Sequence, residues 1–302
     1  MSHKNGLMKH RRYFFILLLS IFSSATFPHG YVGKRFFPST ISLDEPFIND
    51  KIALPIFYSE SPAANDKDTW TTNPKLEYSK TITKHFQASA TASYLHMQTQ
   101  GENTQNGFDD WLAGVRYNLF LAAATESIFS VALNATIGGT GSHLVNATSH
   151  TTLSPEVLFA QGMGPLPESL KFLRPLGLSF SLSPNIITTN YTVSSISWGL
   201  AAGYSLPYLQ QYVANFNIPL LNHIVPIVEL PFNTCTQGNC HGQTTGTIDP
   251  GVIMYGRYGQ IGIEALIPAN HNTGSKVGGV IQFYLYLDTL FPNSLGKPII
   301  AA

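Results

Sequence analysis

Residues Gly107–Phe120, GFDDWLAGVRYNLF, alternate with a period of two. Trp111, Ala113, Val115, Tyr117 and Leu119 make one set; Asp110, Leu112, Gly114, Arg116 and Asn118 make the other. Successive side chains of a strand point to opposite faces, so the segment builds one apolar face and one carrying a carboxylate, a guanidinium and an amide. Two architectures accept such a ribbon. A water-soluble sandwich turns the apolar face to a core; a barrel in a bilayer turns it out to lipid and lines its lumen with the polar one. Trp111 and Tyr117 on the apolar face suit a membrane interface, where a ring is dry at one end and wet at the other.

Composition favours the bilayer. Charged residues make up 11% of the 302-residue chain, about half the share usual in soluble domains. Formal net charge is zero, and no basic patch interleaved with aromatics marks a nucleic-acid partner. Met1–Arg12 carries Lys4, Lys9, Arg11 and Arg12 and no acid; Tyr13–Phe22 is a short apolar run; Ser23, Ser24 and Ala25 supply small residues for cleavage. This three-part layout is that of a secretory signal peptide over residues 1–25, its apolar run being too short for the ~20 residues of a membrane helix. Losing those four cations from seventeen leaves thirteen bases against seventeen acids, a mildly acidic mature chain. No other apolar run is long enough to span as a helix, so a membrane protein of this sequence crosses as a closed barrel.

Similar alternation recurs at Lys75–Thr83, His85–Met97, Glu126–Gly138, Pro175–Pro184, Ser194–Leu206, Gly259–Ile267 and Lys276–Asp288, with Lys80 the one misfit on an apolar side. Thr151–Ala160, Asn222–Phe232 and Gly246–Tyr258 are less tidy, the first two interrupted by Pro155 and Pro226. Connections alternate between shorter ones (after Thr83, Phe120 and Tyr258, with Gln161–Arg174 and Pro207–Leu221 intermediate) and long polar ones. Short turns at one end and long loops at the other are the asymmetry of outer-membrane barrels. The strand at Lys75 descends from the long-loop end, so an earlier one must rise to it. Asp50–Ser59 is the candidate, with Glu60–Asn73 the loop between them, although Pro55 removes a ladder donor. The expectation is all-β: a single antiparallel transmembrane β-barrel of about twelve strands over residues 50–288, ten being the fallback. A periplasmic or plug-like segment (26–49) precedes it and a tail (289–302) follows.

The pattern G-F-x-D…G-x-R/K-Y in Gly107–Tyr117 resembles that of bacterial outer-membrane transporters of the MetA-pathway of phenol degradation family. His29–Pro38 (HGYVGKRFFP) and Ala160–Pro167 (AQGMGPLP) are similar to segments of proteobacterial outer-membrane proteins. The resemblance implies a barrel that moves small, apolar or aromatic compounds, and it supplies no catalytic residue. Many such barrels end on a strand with a terminal aromatic, whereas here Thr289–Ala302 continues beyond it.

Glu77, Asp110, Arg116, Glu156, Glu229, Glu264, Lys276, Gln282 and Asp288 fall on polar faces. They would line a lumen selecting solutes by charge and hydrogen bonding, or pair with one another as interior filling. Cys235 and Cys240 (CTQGNC) most simply close a disulfide in an exported chain; a metal site with His241 is the weaker alternative, lacking a further clustered ligand. The remaining histidines scatter over loops, and neither G-x-S-x-G nor H-E-x-x-H occurs, so neither enzyme nor cofactor is expected. Asn134, Asn146 and Asn190 head acceptor patterns that would matter only in a eukaryotic secreted protein.

The leading expectation is an outer-membrane passive channel or transporter, exported by its signal peptide to a Gram-negative cell surface. Its partners would be the lipid bilayer and a small solute that the sequence does not name, nor does it set the oligomeric state. A non-conducting, adhesin-like barrel whose long loops bind partners comes second, a soluble β-sandwich binding protein third, and a barrel enzyme last.

Overall fold

The computed structural model describes residues 30–62 and 68–300; the signal peptide expected at 1–25 lies outside them. A small hairpin, β1 (Tyr31–Val32) and β2 (Arg35–Phe36), comes first. One antiparallel sheet follows: β3 (Lys51–Pro62), β4 (Asp68–Thr83), β5 (Phe86–Thr99), β6 (Gln105–Phe108), β7 (Trp111–Ala122), β8 (Ser127–Ile137), β9 (Thr152–Gly162), β10 (Leu176–Ile187), β11 (Thr192–Tyr204), β12 (Ile224–Cys235), β13 (Thr244–Tyr255), β14 (Gly259–Pro268) and β15 (Gly278–Tyr286). Neighbours in sequence are neighbours in the sheet, and β15 pairs with β3, Leu285 opposite Ile52, closing a twelve-stranded barrel. Among the described residues no helix is long and apolar enough to cross a membrane; the crossing is made by strands.

The extra strand, β6, is the outer end of β7. Thr91 of β5 faces Leu112, while Tyr94 faces Phe108, so the second strand spends one more residue than the first. That is a β-bulge, placed at Asp109–Asp110.

Leu76, Tyr78, Trp111, Val115, Tyr117, Leu133, Leu178, Leu200, Ile263 and Phe283 are exposed, while Gln87, Arg116, Ser130, Glu156, Ser181, Glu229, Gln260 and Gln282 are buried. The apolar faces therefore look outward and the polar faces inward. Prolines within strands sit where ladders are interrupted. Residues 54–55 of β3 lack partners on β4, and 154–156 of β9 lack partners on β10, where Pro55, Pro155 and Pro184 fall. The missing donor of proline thus costs the sheet pairing locally and not its continuity.

Several strands run further toward the long-loop end than alternation alone indicates. β4 starts at Asp68 and not Lys75, because Thr69–Thr72 pair with β3 on one side and β5 on the other. Conversely, Leu206 begins a helix (Leu206–Tyr212) capped by the Ser205 hydroxyl, and Leu287 opens another (Leu287–Leu290). Lys80 also finds its reason. At the short-turn rim its ammonium reaches Asp50 at 2.7 Å and the carbonyls of Leu295 and Lys297 at 2.9 and 2.8 Å.

Candidate lumen and the segment inside it

Residues 30–49 run inside the barrel. The hairpin turns at Gly33, whose positive φ and close approach to the Ala123 carbonyl leave no room for a Cβ. It is fastened by Arg35, only 1% exposed. Arg35 Nε pairs with Glu126 at 2.9 Å, Nη1 donates to the Pro175 carbonyl at 2.8 Å and Nη2 to that of Arg174, and the guanidinium lies 4.6 Å from the centre of the Tyr208 ring. One side chain thereby joins the hairpin to three separate connections at the short-turn end. Burial lowers the Arg35 pKa and Glu126 opposes that fall; burial and Glu126 together raise the Tyr208 hydroxyl.

From Pro38 the chain rises into the lumen. Ser39 exchanges hydrogen bonds with the Gln260 amide (3.1 and 2.7 Å), and Gln282 donates to the Thr40 carbonyl at 3.2 Å. At the summit the carboxylate of Glu229, 0% exposed, accepts three successive backbone N–H groups, from Ile41 (2.7 Å), Ser42 (2.9 Å) and Leu43 (2.8 Å). Consecutive N–H groups that converge this way form an anion-binding concavity, and here the anion is a side chain of the wall. The Ser42 hydroxyl donates to Glu264 at 3.1 Å. Ile41 packs on Ala201, Ile227, Ile253 and Val280, which face inward from four strands, and Gly262 is bare where Ile41 passes.

The descending limb is held by charge. Asp44 pairs with Arg116 at 2.9 Å, and Arg116 also donates to the Phe47 carbonyl at 3.3 Å. Glu45 pairs with Lys51 at 3.1 Å, and Lys51 also meets Glu77 at 2.9 Å. Asn49 donates its N–H to Gln87 and its amide to Tyr284, at 2.9 and 2.8 Å. Burial pushes the Asp44 and Glu45 carboxyls up, but Arg116 and Lys51 respectively outweigh it and hold both below the ordinary carboxylate range. The sign follows. A pKa depressed in this arrangement stabilises it above the ordinary value near 4, and the gain is lost as pH falls through the depressed value. The hold of these two ion pairs on the segment is therefore expected to persist at about pH 5 and to be lost below about pH 4, so a bilayer should conduct more at about pH 3 than at about pH 5. Recordings with pH stepped on one side check this, and traces equally quiet at about pH 3 would count against it.

Above the Ile41–Asp44 turn, on the long-loop side, a cavity of about 760 Å³ opens, bordered by Phe57, Lys75, Glu77, Leu112, Glu156 and Asn233 among others. Between the segment and the wall below it, the spaces are small: about 20 Å³ beside Arg35 and essentially none beside Glu45. Ile41, Ser42, Leu43 and Asp44 of the turn form part of its lining.

The candidate residues read from the polar faces thus fall into three groups. Arg116, Glu77, Glu156, Glu229, Glu264 and Gln282 touch the inner segment or its partners; Glu156, bonded to Asp44, also borders the vestibule and accepts from Asn134 at 3.2 Å. Asp110 lies at the bulge, where it accepts from Thr140, Gly141 and Thr148 and so ties down the Gly139–Thr148 loop. Burial pushes its carboxyl up, and the Thr148 hydroxyl and those N–H groups hold it below the usual range. Lys276 and Asp288 are not on barrel strands. Lys276 sits in the last long loop, 3.0 Å from Glu60; Asp288 lies in the helix after β15, where burial raises its pKa to about 7. Cys235 and Cys240 form a disulfide, and His241 engages the Thr236 carbonyl; among the described residues no group of three or more His, Cys, Asp or Glu is placed to hold a metal. Alternation alone missed Arg35, Asp44, Glu45 and Lys51. The one signal for them was six charges, Lys34, Arg35, Asp44, Glu45, Asp50 and Lys51, in or beside a segment otherwise rich in Phe and Pro.

No protein-family model matches the chain, and no curated protein does. Among solved structures it is similar to the COG4313 outer membrane channel from Pseudomonas putida F1, at 10% identity and a TM-score of 0.53, over 83% of this chain and 99% of that one. The chain has the fold of an outer-membrane channel. The KdgM porin (10% identity, 78% of this chain and 98% of that one, TM-score 0.45) and LpxR from Salmonella typhimurium (9%, 78% and 99%, TM-score 0.40) are less similar in shape. A resemblance to the MetA-pathway of phenol degradation family therefore rests on the Gly107–Tyr117 motif and not on a family match.

Proposed function

We propose that the protein is a gated outer-membrane channel for small molecules, in which residues 30–49 close the lumen from the periplasmic side. One observation carries the reading. A vestibule of about 760 Å³ at the long-loop end is lined by the Ile41–Asp44 turn, part of a segment attached to the wall by hydrogen bonds and ion pairs that can be exchanged for water. The long loops would face outward and both ends of the chain inward. Ile41, Leu43, Phe57 and Leu112 border the vestibule beside Lys75, Glu77 and Glu156. That mixture suits a small solute with an apolar or aromatic body and one or two polar groups, as the motif resemblance implies; charges of both signs argue against strong ion selectivity.

The filled lumen also favours a second reading, a non-conducting barrel that presents its long loops, one stapled by Cys235–Cys240, to external partners. Removing residues 30–49 separates the two. The full chain in a planar bilayer should open rarely, and the shortened one steadily, with passage of phenol-sized solutes into liposomes. A shortened barrel that keeps its heat-modifiable gel band yet never conducts would overturn the channel.

A further inference from the structure

We infer that two segments beyond the strands, Glu168–Leu173 and Leu295–Ile300, are embedded in the phospholipid interface at the short-turn end. The barrel thereby carries an apolar collar below its lipid belt. This inference is independent of whether the lumen conducts.

The first observation is where these segments lie. On β11 the inward positions are Gly199, Ala201 and Gly203, so Leu200 and Tyr204 point outward, and Leu200 is exposed to the membrane side. The Tyr204 hydroxyl donates to the Phe172 carbonyl at 2.8 Å. The 3-10 helix Glu168–Leu173 is therefore fixed against the outer side of the wall, not beneath the pore. The second segment is placed in the same way. Lys80 alternates with the buried Ser79 and Thr81 and so points outward, and it binds the carbonyls of Leu295 and Lys297. Beyond it, the Ile299 and Ile300 N–H groups donate to the Thr81 and Ile82 carbonyls at 3.2 and 2.8 Å.

The second observation is what they expose. Leu170 (44%), Phe172 (56%), Leu173 (49%), Leu295 (48%), Ile299 (64%) and Ile300 (55%) are open, although nothing in a solvated connection calls for six large apolar side chains. They continue the outward faces of β4 and β11, which already meet acyl chains, so the occupant that needs no new surface is lipid. The polar groups among them agree. Lys171 lies 5.8 Å from the centre of the Phe172 ring and, with Arg174, pairs with Glu168; Lys297 sits beside Leu295. Long cationic side chains set among Leu and Phe are the mixture that settles at the headgroup–acyl boundary.

The test keeps the native disulfide and introduces single cysteines by Phe172→Cys, Leu295→Cys and Tyr191→Cys, each nitroxide-labelled in phospholipid liposomes. Tyr191, 84% exposed on a long loop, is the aqueous reference. Labels at 172 and 295 should collide with dissolved oxygen several-fold more, relative to a water-soluble nickel complex, than the label at 191. A ratio equal to that at 191 would overturn the collar. So would dipolar broadening between labels at 172 or 295, since it would put a second copy of the chain, and not lipid, on this surface.

Discussion

Glu229→Ala is expected to turn a barrel that is closed most of the time into one that conducts. The wild-type carboxylate answers three backbone N–H groups at the summit of the inner segment. Hydrogen bonds to a charged group are worth about 1.5–3 kcal/mol each. Water entering the cavity would recover part of that, leaving a loss of about 3 kcal/mol, or roughly a hundredfold in the ratio of closed to open barrels. Single-channel recording reads this directly as open time. Glu264→Gln is the matched control: it keeps a side chain of the same shape beside Glu229, retains an acceptor for the Ser42 hydroxyl and leaves the three N–H contacts of Glu229 in place. If both variants opened equally, any disturbance of the wall beside the turn, and not the three N–H groups in particular, would govern closure. If neither opened, Glu229 would not hold the gate.

Arg35→Met should free the hairpin and destabilise the short-turn end. It leaves the Glu126 carboxylate buried with the Gly164 N–H and the Tyr208 hydroxyl but no cation, and strips a donor from the carbonyls of Arg174 and Pro175. Breaking a buried ion pair from one side costs about 3–5 kcal/mol. The heat-modifiable gel band should therefore be lost at a lower temperature, and protease added at the periplasmic face should cut within residues 30–36. Arg35→Lys should rescue little, because one ammonium cannot reproduce the planar fork that reaches a carboxylate and two carbonyls in different directions. An unchanged melting temperature with an uncut hairpin would mean that the hydrophobic packing of Phe36 and Phe37 suffices.

Much of the barrel was legible in the sequence. The period of two is a property of the backbone, and strands with clean alternation, such as those at Gly107–Phe120 and Gly259–Ile267, turn outward the apolar face read for them. Even the untidy strand at Gly246–Tyr258 has a local reason. Its inward positions Ile253 and Tyr255 are apolar because they pack against Ile41 and Phe36 of the inner segment and not against water. Contact with the same segment explains why Ile128, Val225 and Val280, on inward positions, are buried hydrophobics. A rule that reads every inward residue as wet fails where another piece of chain fills the lumen.

The sequence by itself determined the fold class, the outward face of the strands that alternate cleanly, the end that bears the long loops and the Cys235–Cys240 pairing, because each depends on residues close together along the chain. Only the tertiary structure decided what the inward polar residues do. Glu229 meets Ile41–Leu43, Arg116 meets Asp44, and Arg35 meets Glu126, pairs separated by 72 to 188 positions. No local pattern encodes such partners. They are selected by barrel closure, which brings strands from both ends of the sequence around one short segment and takes most of its backbone donors and charges out of water.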